Sequence, residues 1–265
     1  MLLEKRVAIV YGGGGVIGAA VAQSFAQAGA EVHLVGRTRA KLDAVSREIQ
    51  KAGGRAEVTE VDALDERAVC EHADFVAQRA GRIDIAFNAV GVSHVQGIPL
   101  AELTLEDYWL PVQVYVRTHF ITAKAVARQM MKQRSGVILT LSTPAGVMPG
   151  PGFLGHSVAC AGIEALTRHL AGELGAFGIR VVGMRSQAIP ETVSQGSHAR
   201  EVFGRVAAMN GASIEEMLAR AATGTLLKRL PSLDQLAGTA LFLASDQAEA
   251  MTGAIVNLTC GMILD

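Results

Sequence analysis

Residues 7–18 of the chain are Val7-Ala8-Ile9-Val10-Tyr11-Gly12-Gly13-Gly14-Gly15-Val16-Ile17-Gly18. The β-branched residues at the start predict a strand, and the apolar residues after Gly18 recur with helical spacing. The segment therefore predicts a strand, a glycine turn and a helix. The spacing Gly13-x-Gly15-x-x-Gly18 fits the dinucleotide fingerprint, in which backbone N–H groups and a helix dipole face a pyrophosphate. The alternative is a tight connection that binds nothing.

The residues after the second predicted strand bear on the choice of cofactor. Glu31–Val35 predicts that strand, which ends in Gly36-Arg37-Thr38-Arg39. In dinucleotide-binding folds a carboxylate near this point holds a ribose 2′-hydroxyl, whereas an arginine accommodates a 2′-phosphate. No carboxylate is present in the tetrapeptide, so Arg37 and Arg39 favour NADP(H) over NAD(H). The alternative is that both arginines belong to a solvated helix start.

Length and composition indicate one compact domain over residues 1–265. Half of the residues are hydrophobic and the formal net charge is −1, so the chain can bury a large core and has no electrostatic attraction to nucleic acid or anionic membranes. We find no signal peptide and no apolar run of the roughly 18 residues that span a membrane. Three widely spaced cysteines predict neither a disulfide framework nor a metal site. We expect a cytoplasmic protein.

Strand-like segments alternate with helix-length segments along the rest of the chain. This alternation predicts an α/β fold of the Rossmann type, a doubly wound parallel sheet with helices on both faces. Residues 186–225 contain two short helical patterns, Glu201–Met209 and Ile214–Ala222, and form either a substrate lid or a surface excursion. The further predicted strands are Glu57–Val61, Ile83–Phe87, Val137–Leu141, Arg180–Met184 and Ala254–Leu258.

The order and spacing of several motifs resemble the short-chain dehydrogenase/reductase superfamily, in its single-domain branch. Asn88-Ala89-Val90-Gly91 resembles the Asn-Asn-Ala-Gly segment of that family, and Gly178–Val181 resembles its entry to the sixth strand. Leu241–Ser245 and Met251–Gly253 resemble its carboxyl-terminal signature. The cofactor-binding residues that these arguments and the resemblance imply are Gly12, Gly15, Ile17, Gly18, Arg37, Asp62, Ala63, Asn88, Ala89 and Gly91.

The resemblance fails at the catalytic positions. The family uses Asn, Ser, Tyr and Lys, and these positions fall on Tyr115, Thr143, His156 and Cys160. In the family the tyrosine exchanges a proton with the carbonyl oxygen, the serine positions that oxygen and the lysine holds the nicotinamide ribose. The family's Pro-Gly after the sixth strand is Ser186-Gln187 here, and the middle glycine of its commoner phosphate loop is Val16.

Thr143 and His156 are the candidate catalytic residues. A histidine has a reference pKa of about 6.5, so it can exchange protons near neutral pH without a lysine, and a threonine hydroxyl can donate to a developing alkoxide. His156 could equally satisfy a local hydrogen bond. Cys160 could be a nucleophile activated by His156, although a buried helix cysteine is more often packing. Tyr115 could supply a phenol or simply fill space.

Three functions are compatible with these residues. The first is an NADP(H)-dependent oxidoreductase acting on a carbonyl or secondary alcohol, with NAD less favoured. The second is a cofactor-binding sensor or silent subunit without turnover, and the third is a non-redox enzyme on the same fold. Apolar residues Val147, Met148, Phe153 and Leu154 suggest an apolar substrate. The apolar faces of Leu105–Gln133 and Gly152–Phe177 predict a homo-oligomer, a tetramer or dimer as in related proteins.

Overall fold

Seven parallel strands form one sheet in the computed structural model, which describes residues 1–264. The strands are β1 (Val7–Tyr11), β2 (Glu31–Gly36), β3 (Arg55–Glu60), β4 (Ile85–Asn88), β5 (Gly136–Ser142), β6 (Ile179–Ser186) and β7 (Ile255–Leu258). Their order is β3-β2-β1-β4-β5-β6-β7. The order reverses between β1 and β4, and in open parallel sheets a ligand crevice lies at the carboxyl ends of such a pair. The predicted Rossmann-type fold is confirmed.

Nine α-helices flank this sheet within residues 1–264. They are α1 (Val16–Gln27), α2 (Arg39–Lys51), α3 (Glu66–Ala80), α4 (Leu105–Gln133), α5 (Leu154–Leu174), α6 (Pro190–Ser194), α7 (His198–Met209), α8 (Ile214–Gly224) and α9 (Leu233–Ala244). Helix α4 has the predicted bounds, whereas the second long helix is shorter than predicted because a 3₁₀ turn replaces it at Gly175–Phe177. None of the helices in residues 1–264 is long and apolar enough to cross a membrane.

The core lies on both faces of the sheet because the central strands are apolar on both faces. All five residues of β1 are buried, and alternate residues point to opposite sides. Ala8 and Val10 pack in the core beneath α1 and α9, whereas Val7, Ile9 and Tyr11 pack in the core beneath α3 and α4. Continuous apolar strands of this kind are typical of a parallel sheet covered by helices on both sides.

Residues 186–225 contain more helix than the sequence pattern predicted. Helix α6 begins with Pro190, a residue suited to the first helical turn, and its five residues were not predicted. Helix α7 begins at His198 instead of Glu201, because the Ser197 side chain caps it by accepting a hydrogen bond from Ala199 N at 3.1 Å. The three helices lie across the carboxyl end of the sheet and bring His198 to the crevice described next.

Candidate functional site

A cavity of about 860 Å³ runs along the carboxyl ends of the central strands. Eleven of the twelve candidate site residues line it, and they come from the carboxyl ends of β1 to β5, the segments that follow these strands, and the starts of α1 and α5. Gly18 is the exception, because it is buried against the glycine turn, where a Cβ on it would lie 2.3 Å from Gly12 O. The lining candidates are Gly12, Gly15, Ile17, Arg37, Asp62, Ala63, Asn88, Ala89, Gly91, Thr143 and His156.

The glycine turn has the shape that a phosphate group requires. Gly12 has a φ of +76°, and a Cβ there would lie 2.6 Å from Ala89 O. Gly15 caps α1 without any side-chain hydrogen bond, so the first N–H groups of that helix remain available at the cavity. Exposed N–H groups at a helix start, next to backbone that no Cβ obstructs, are suited to bind a pyrophosphate. These residues fit a dinucleotide.

Arg37 and Arg39 differ in their surroundings. Arg37 is exposed, lines the cavity and has no hydrogen bond or ion pair with the described residues. Arg39 does not line that cavity, and its Nε lies 3.0 Å from Asp43 Oδ1, one helical turn along α2. Lys41, which the sequence interpretation missed, also lines the cavity. The available positive charge near the second strand is therefore on Arg37 and Lys41.

Asp62 and Asn88 shape the cavity wall through bonds to the backbone. The Asp62 Oδ1 accepts a hydrogen bond from Leu64 N at 3.0 Å. The Asn88 Oδ1 accepts one from Val90 N at 2.9 Å, and its amide nitrogen donates to Thr122 Oγ1 at 3.0 Å. Because both amide atoms of Asn88 are bonded within the protein, this side chain holds the loop that carries Ala89 and Gly91.

Thr143, His156 and Cys160 come together at the other end of the cavity. Thr143 follows β5, and the other two residues lie one turn apart on α5. Thr143 Oγ1 is 3.1 Å from His156 Nε2 and 3.3 Å from Cys160 Sγ, and the last two atoms are 3.6 Å apart. Gly146 permits this approach, since a Cβ there would lie 3.0 Å from Ala161 N on α5.

His156 is neutral at physiological pH, which changes the role expected for it. Burial, assisted by the nearby His94 and His198, lowers the His156 pKa to about 3. The expectation that it titrates near its reference value is therefore wrong, because desolvation disfavours the charged ring. Its Nδ1 is buried without a partner. An unpaired acceptor is better tolerated than an unpaired N–H, so we place the proton on Nε2, where it donates to Thr143.

His94 is a site residue that the sequence interpretation missed. Its ring stacks on that of His156, with centroids 4.9 Å apart and planes at 17°. His94 Nδ1 lies 2.9 Å from Val92 O, an acceptor only, so Nδ1 carries the proton. Its Nε2 then accepts from the Gln96 side-chain amide at 2.8 Å. The loop after β4 has no sequence signal for this contact, because the stacking partner is distant in sequence.

Burial keeps the Tyr115 phenol and the Cys160 thiol in their neutral forms. The Tyr115 hydroxyl donates to Val92 O at 3.3 Å, and burial raises the pKa of this phenol. Its ring packs against Ala159 and Ile163, which favours the space-filling interpretation. Burial also raises the pKa of the Cys160 thiol, so a thiolate nucleophile is disfavoured.

The apolar lining of the cavity differs in part from the prediction. Met148 and Phe153 line it as expected. Val147 and Leu154 do not, because their side chains are exposed on the surface on either side of the turn before α5. Helices α7 and α8 supply further apolar lining through Val202, Phe203, Val206, Met217 and Leu218.

Comparison with known proteins supports the assignment of the family. The family model described as enoyl-(acyl carrier protein) reductase, adh_short_C2, matches residues 14–263. The chain belongs to the short-chain dehydrogenase/reductase superfamily. It is 26% identical to the 3-oxoacyl-(acyl-carrier-protein) reductase FabG of Thermotoga maritima, with both chains covered in full. It is 32% identical to tropinone reductase-like 2 of Erythroxylum coca, over 95% of this chain and 88% of that protein.

Solved structures of this superfamily have the same fold along nearly the whole chain. A 7α-hydroxysteroid dehydrogenase complexed with NADH and 7-oxo glycochenodeoxycholic acid superposes with a TM-score of 0.85 at 27% identity, covering 99% of this chain and 96% of that one. An NAD⁺-bound xylitol dehydrogenase gives a TM-score of 0.88 at 25% identity, covering 98% and 100%. The superfamily comprises oxidoreductases that act on carbonyl and alcohol groups.

Proposed function

We propose that this protein is an NADP(H)-preferring oxidoreductase for an apolar carbonyl or secondary alcohol, with Thr143 and His156 in the site. The observation that carries the proposal is the Thr143 Oγ1–His156 Nε2 contact of 3.1 Å in the cavity that also contains the glycine turn and Arg37. One cavity thus combines a candidate phosphate site with two polar groups for a carbonyl oxygen.

Each part of the cofactor has a candidate partner in this chain. The glycine turn and the start of α1 would hold the pyrophosphate, and Arg37 would hold a 2′-phosphate. NADP(H) would supply or accept the hydride. The two solved structures compared above hold NADH and NAD⁺. Our preference for NADP(H) rests on the unpaired guanidinium of Arg37, which favours a dianionic phosphate over a neutral hydroxyl.

When a carbonyl binds, the Nε2–H of His156 would turn from Thr143 Oγ1 to the carbonyl oxygen, and Thr143 and His156 would then bind that oxygen as neutral hydrogen-bond donors. With its proton on Nε2, a neutral imidazole polarises a carbonyl without giving up that proton, and the threonine hydroxyl adds a second donor. We assign the supply of the proton to water that enters the cavity, since neither the Cys160 thiol nor the Tyr115 phenol is acidic enough at neutral pH. The site therefore works by orienting and polarising the carbonyl.

The substrate we propose is an apolar ketone or the corresponding alcohol. Its binding wall would consist of Met148, Phe153 and the apolar residues of α7 and α8. The 7-oxo bile acid held by one structural relative supports this class. Residues 186–225 would act as the lid, because α7 and α8 cover the cavity and carry part of its lining.

Assembly and location are also part of the proposal. Several large apolar side chains on α4 and α5 are exposed in the single chain, which supports assembly into a dimer or tetramer. The cytoplasm is the location we propose. Solution scattering at micromolar concentration checks the assembly, and a monomer would contradict it. These exposed residues are Leu105, Trp109, Phe120, Leu154 and Val158.

The test is a titration with NADPH and NADH, followed by NADPH oxidation assays against a panel of cyclic and aliphatic ketones. We expect tighter binding of NADPH and turnover of at least one apolar ketone. Equal binding of both dinucleotides would contradict the NADP(H) preference. Absence of dinucleotide binding would contradict the function as a whole.

A second candidate, binding of the dinucleotide without turnover, is favoured by one observation. The low pKa of His156 leaves the part of the cavity around Thr143 and His156 without a group that donates a proton near neutral pH. The double substitution His156→Tyr with Cys160→Lys separates the candidates, because it restores a phenol and an ammonium group. If the natural chain reduces no ketone and the double variant does, the protein is a silent dinucleotide-binding member of its superfamily.

A further inference from the structure

His198, in the segment 186–225, lies between the glycine-turn side of the cavity and the side that contains Thr143 and His156. It is the first residue of α7, and its ring lies against the backbone of Gly91, where a Cβ would be 2.0 Å from His198 Cε1. Gly91 belongs to the loop that contacts the glycine turn through Ala89. On the other side, His198 is close enough to His156 to lower its pKa. A ligand that extends from the glycine turn to Thr143 must therefore pass this ring.

The His198 ring has hydrogen-bonding capacity that the protein does not use. It lines the cavity, and neither of its nitrogens has a hydrogen-bond partner among residues 1–264. Part of the His198 side chain is exposed to solvent. Desolvation by the surrounding protein, and secondly the nearby His94 ring, lower the pKa of His198. A neutral imidazole presents one N–H donor and one bare acceptor. A sugar hydroxyl, which is both donor and acceptor, can pair with either nitrogen.

Cys160, which stands at the position of the family's ribose-binding lysine, is not placed to bind a sugar hydroxyl. Its thiol lies 3.3 Å from Thr143 Oγ1 and 3.6 Å from His156 Nε2, so it is directed into the polar pair at the end of the cavity. A thiol also lacks the length and the charge that a lysine would bring to a ligand. The middle of the cavity is instead approached by a histidine from α7.

We propose that His198 binds the sugar hydroxyls of the nicotinamide half of the dinucleotide and positions that half beside Thr143 and His156. The inference rests on the proposed function, because a dinucleotide must occupy the cavity. It assigns a positioning role to a residue of the segment 186–225.

The experiment compares two ligands by isothermal titration calorimetry. NADPH contains both halves, whereas adenosine 2′,5′-bisphosphate keeps the adenine and the 2′-phosphate and lacks the nicotinamide half. The proteins are the natural chain and its His198→Ala, His198→Asn and Arg37→Ala variants. Arg200→Ala is the matched control, because Arg200 is exposed on the same helix and does not line the cavity.

We expect His198→Ala to weaken NADPH binding about three- to tenfold, the range for one neutral hydrogen bond, and to leave the bisphosphate unchanged. His198→Asn should retain most of the NADPH affinity, since an amide has both a donor and an acceptor. Arg37→Ala should weaken both ligands, and Arg200→Ala neither.

Three results would overturn the inference. Unchanged NADPH affinity in His198→Ala would show that the ring does not contact the ligand. An equal loss for both ligands would show a structural role for α7 instead. If the natural chain binds neither ligand, the proposed function fails together with this inference, and that result differs visibly from the first two.

Discussion

The two ends of the cavity are constructed in different ways. The glycine-turn end, formed by Gly12, Gly15, Ile17 and Arg37, comes from one strand-turn-helix unit and the strand beside it. The imidazole end, formed by His94, Thr143 and His156, comes from three segments that are distant in sequence. The first end follows the pattern of the superfamily except at Val16, whereas the second end departs from it at all four catalytic positions.

The two ends also treat charge differently. Arg37 keeps an exposed guanidinium without a partner among residues 1–264. At the imidazole end burial lowers the pKa of both His94 and His156, so the rings are neutral. The comparison teaches that this chain presents an exposed positive charge where a phosphate would bind and neutral polar groups where the reaction would occur.

The largest effect should come from His156→Phe. This change keeps a flat ring against His94 and removes the N–H that would polarise the carbonyl, so ketone reduction should fall about a hundredfold or more. NADPH affinity, measured by fluorescence titration, should stay within twofold because the glycine-turn end is untouched. Thr143→Val should give a loss of the same kind. Full activity in both variants would contradict the site.

Arg37→Ala should weaken NADPH binding at the glycine-turn end and leave the imidazole end unchanged. Loss of a charge-assisted contact to a phosphate corresponds to about 1.5–3 kcal/mol, or roughly ten- to 150-fold in the NADPH dissociation constant. NADH affinity should be unchanged, since that ligand has no 2′-phosphate. Arg39→Ala is the control, because Arg39 pairs with Asp43 outside the cavity. A loss in Arg39→Ala equal to that in Arg37→Ala would contradict the assignment.

The free energy of unfolding should fall as the pH is lowered, because the fold contains buried histidines that are neutral. Burial lowers the pKa of His72 and of His119 to about 4 each, against a reference value of about 6.5 for the unfolded chain. The unfolded state therefore binds more protons below pH 6.5. Each histidine should then reduce the free energy of unfolding by about 1.4 kcal/mol per pH unit as the pH falls from 6.5 towards 4.

Urea unfolding at several pH values measures this slope. His72→Gln should make the slope shallower, because both ring nitrogens of His72 are buried without partners and its protonation opposes folding. His169→Gln, on the exposed side of α5, is the matched control and should leave the slope unchanged. An identical slope in the natural chain and in His72→Gln would contradict the explanation.

The smallest expected effect is spectroscopic and compares the two stacked rings. In ¹⁵N-histidine NMR spectra at pH 7, His156 should carry its proton on Nε2 and His94 on Nδ1. The assignment follows from the partners of each ring, which are Thr143 for His156 and Val92 O with Gln96 for His94. His156→Phe identifies its signals by their loss. A proton on Nδ1 of His156 would contradict the polarising role.

Much of the glycine-turn end was predictable because its signals are local. The turn at Gly12 requires a positive φ and an approach that a Cβ would block, so glycine spacing alone reports the geometry. The same holds for α4, whose predicted and observed bounds agree. The sequence, however, made Arg37 and Arg39 equally good candidates for the 2′-phosphate. Only the structure distinguishes them, because Arg37 lines the cavity and Arg39 pairs with Asp43 outside it.

The imidazole end could be predicted only in part. Motif spacing placed Thr143 and His156 at neighbouring catalytic positions, and the tertiary structure brings their polar atoms within hydrogen-bond distance. His94 and His198 had no sequence signal, because each acts through a partner that folding brings near. The sequence by itself determined the strand-turn-helix unit and the alternation of strands and helices, which depend on local backbone geometry and residue periodicity. Tertiary structure decided the protonation of the histidines, because a pKa depends on the atoms that surround the ring.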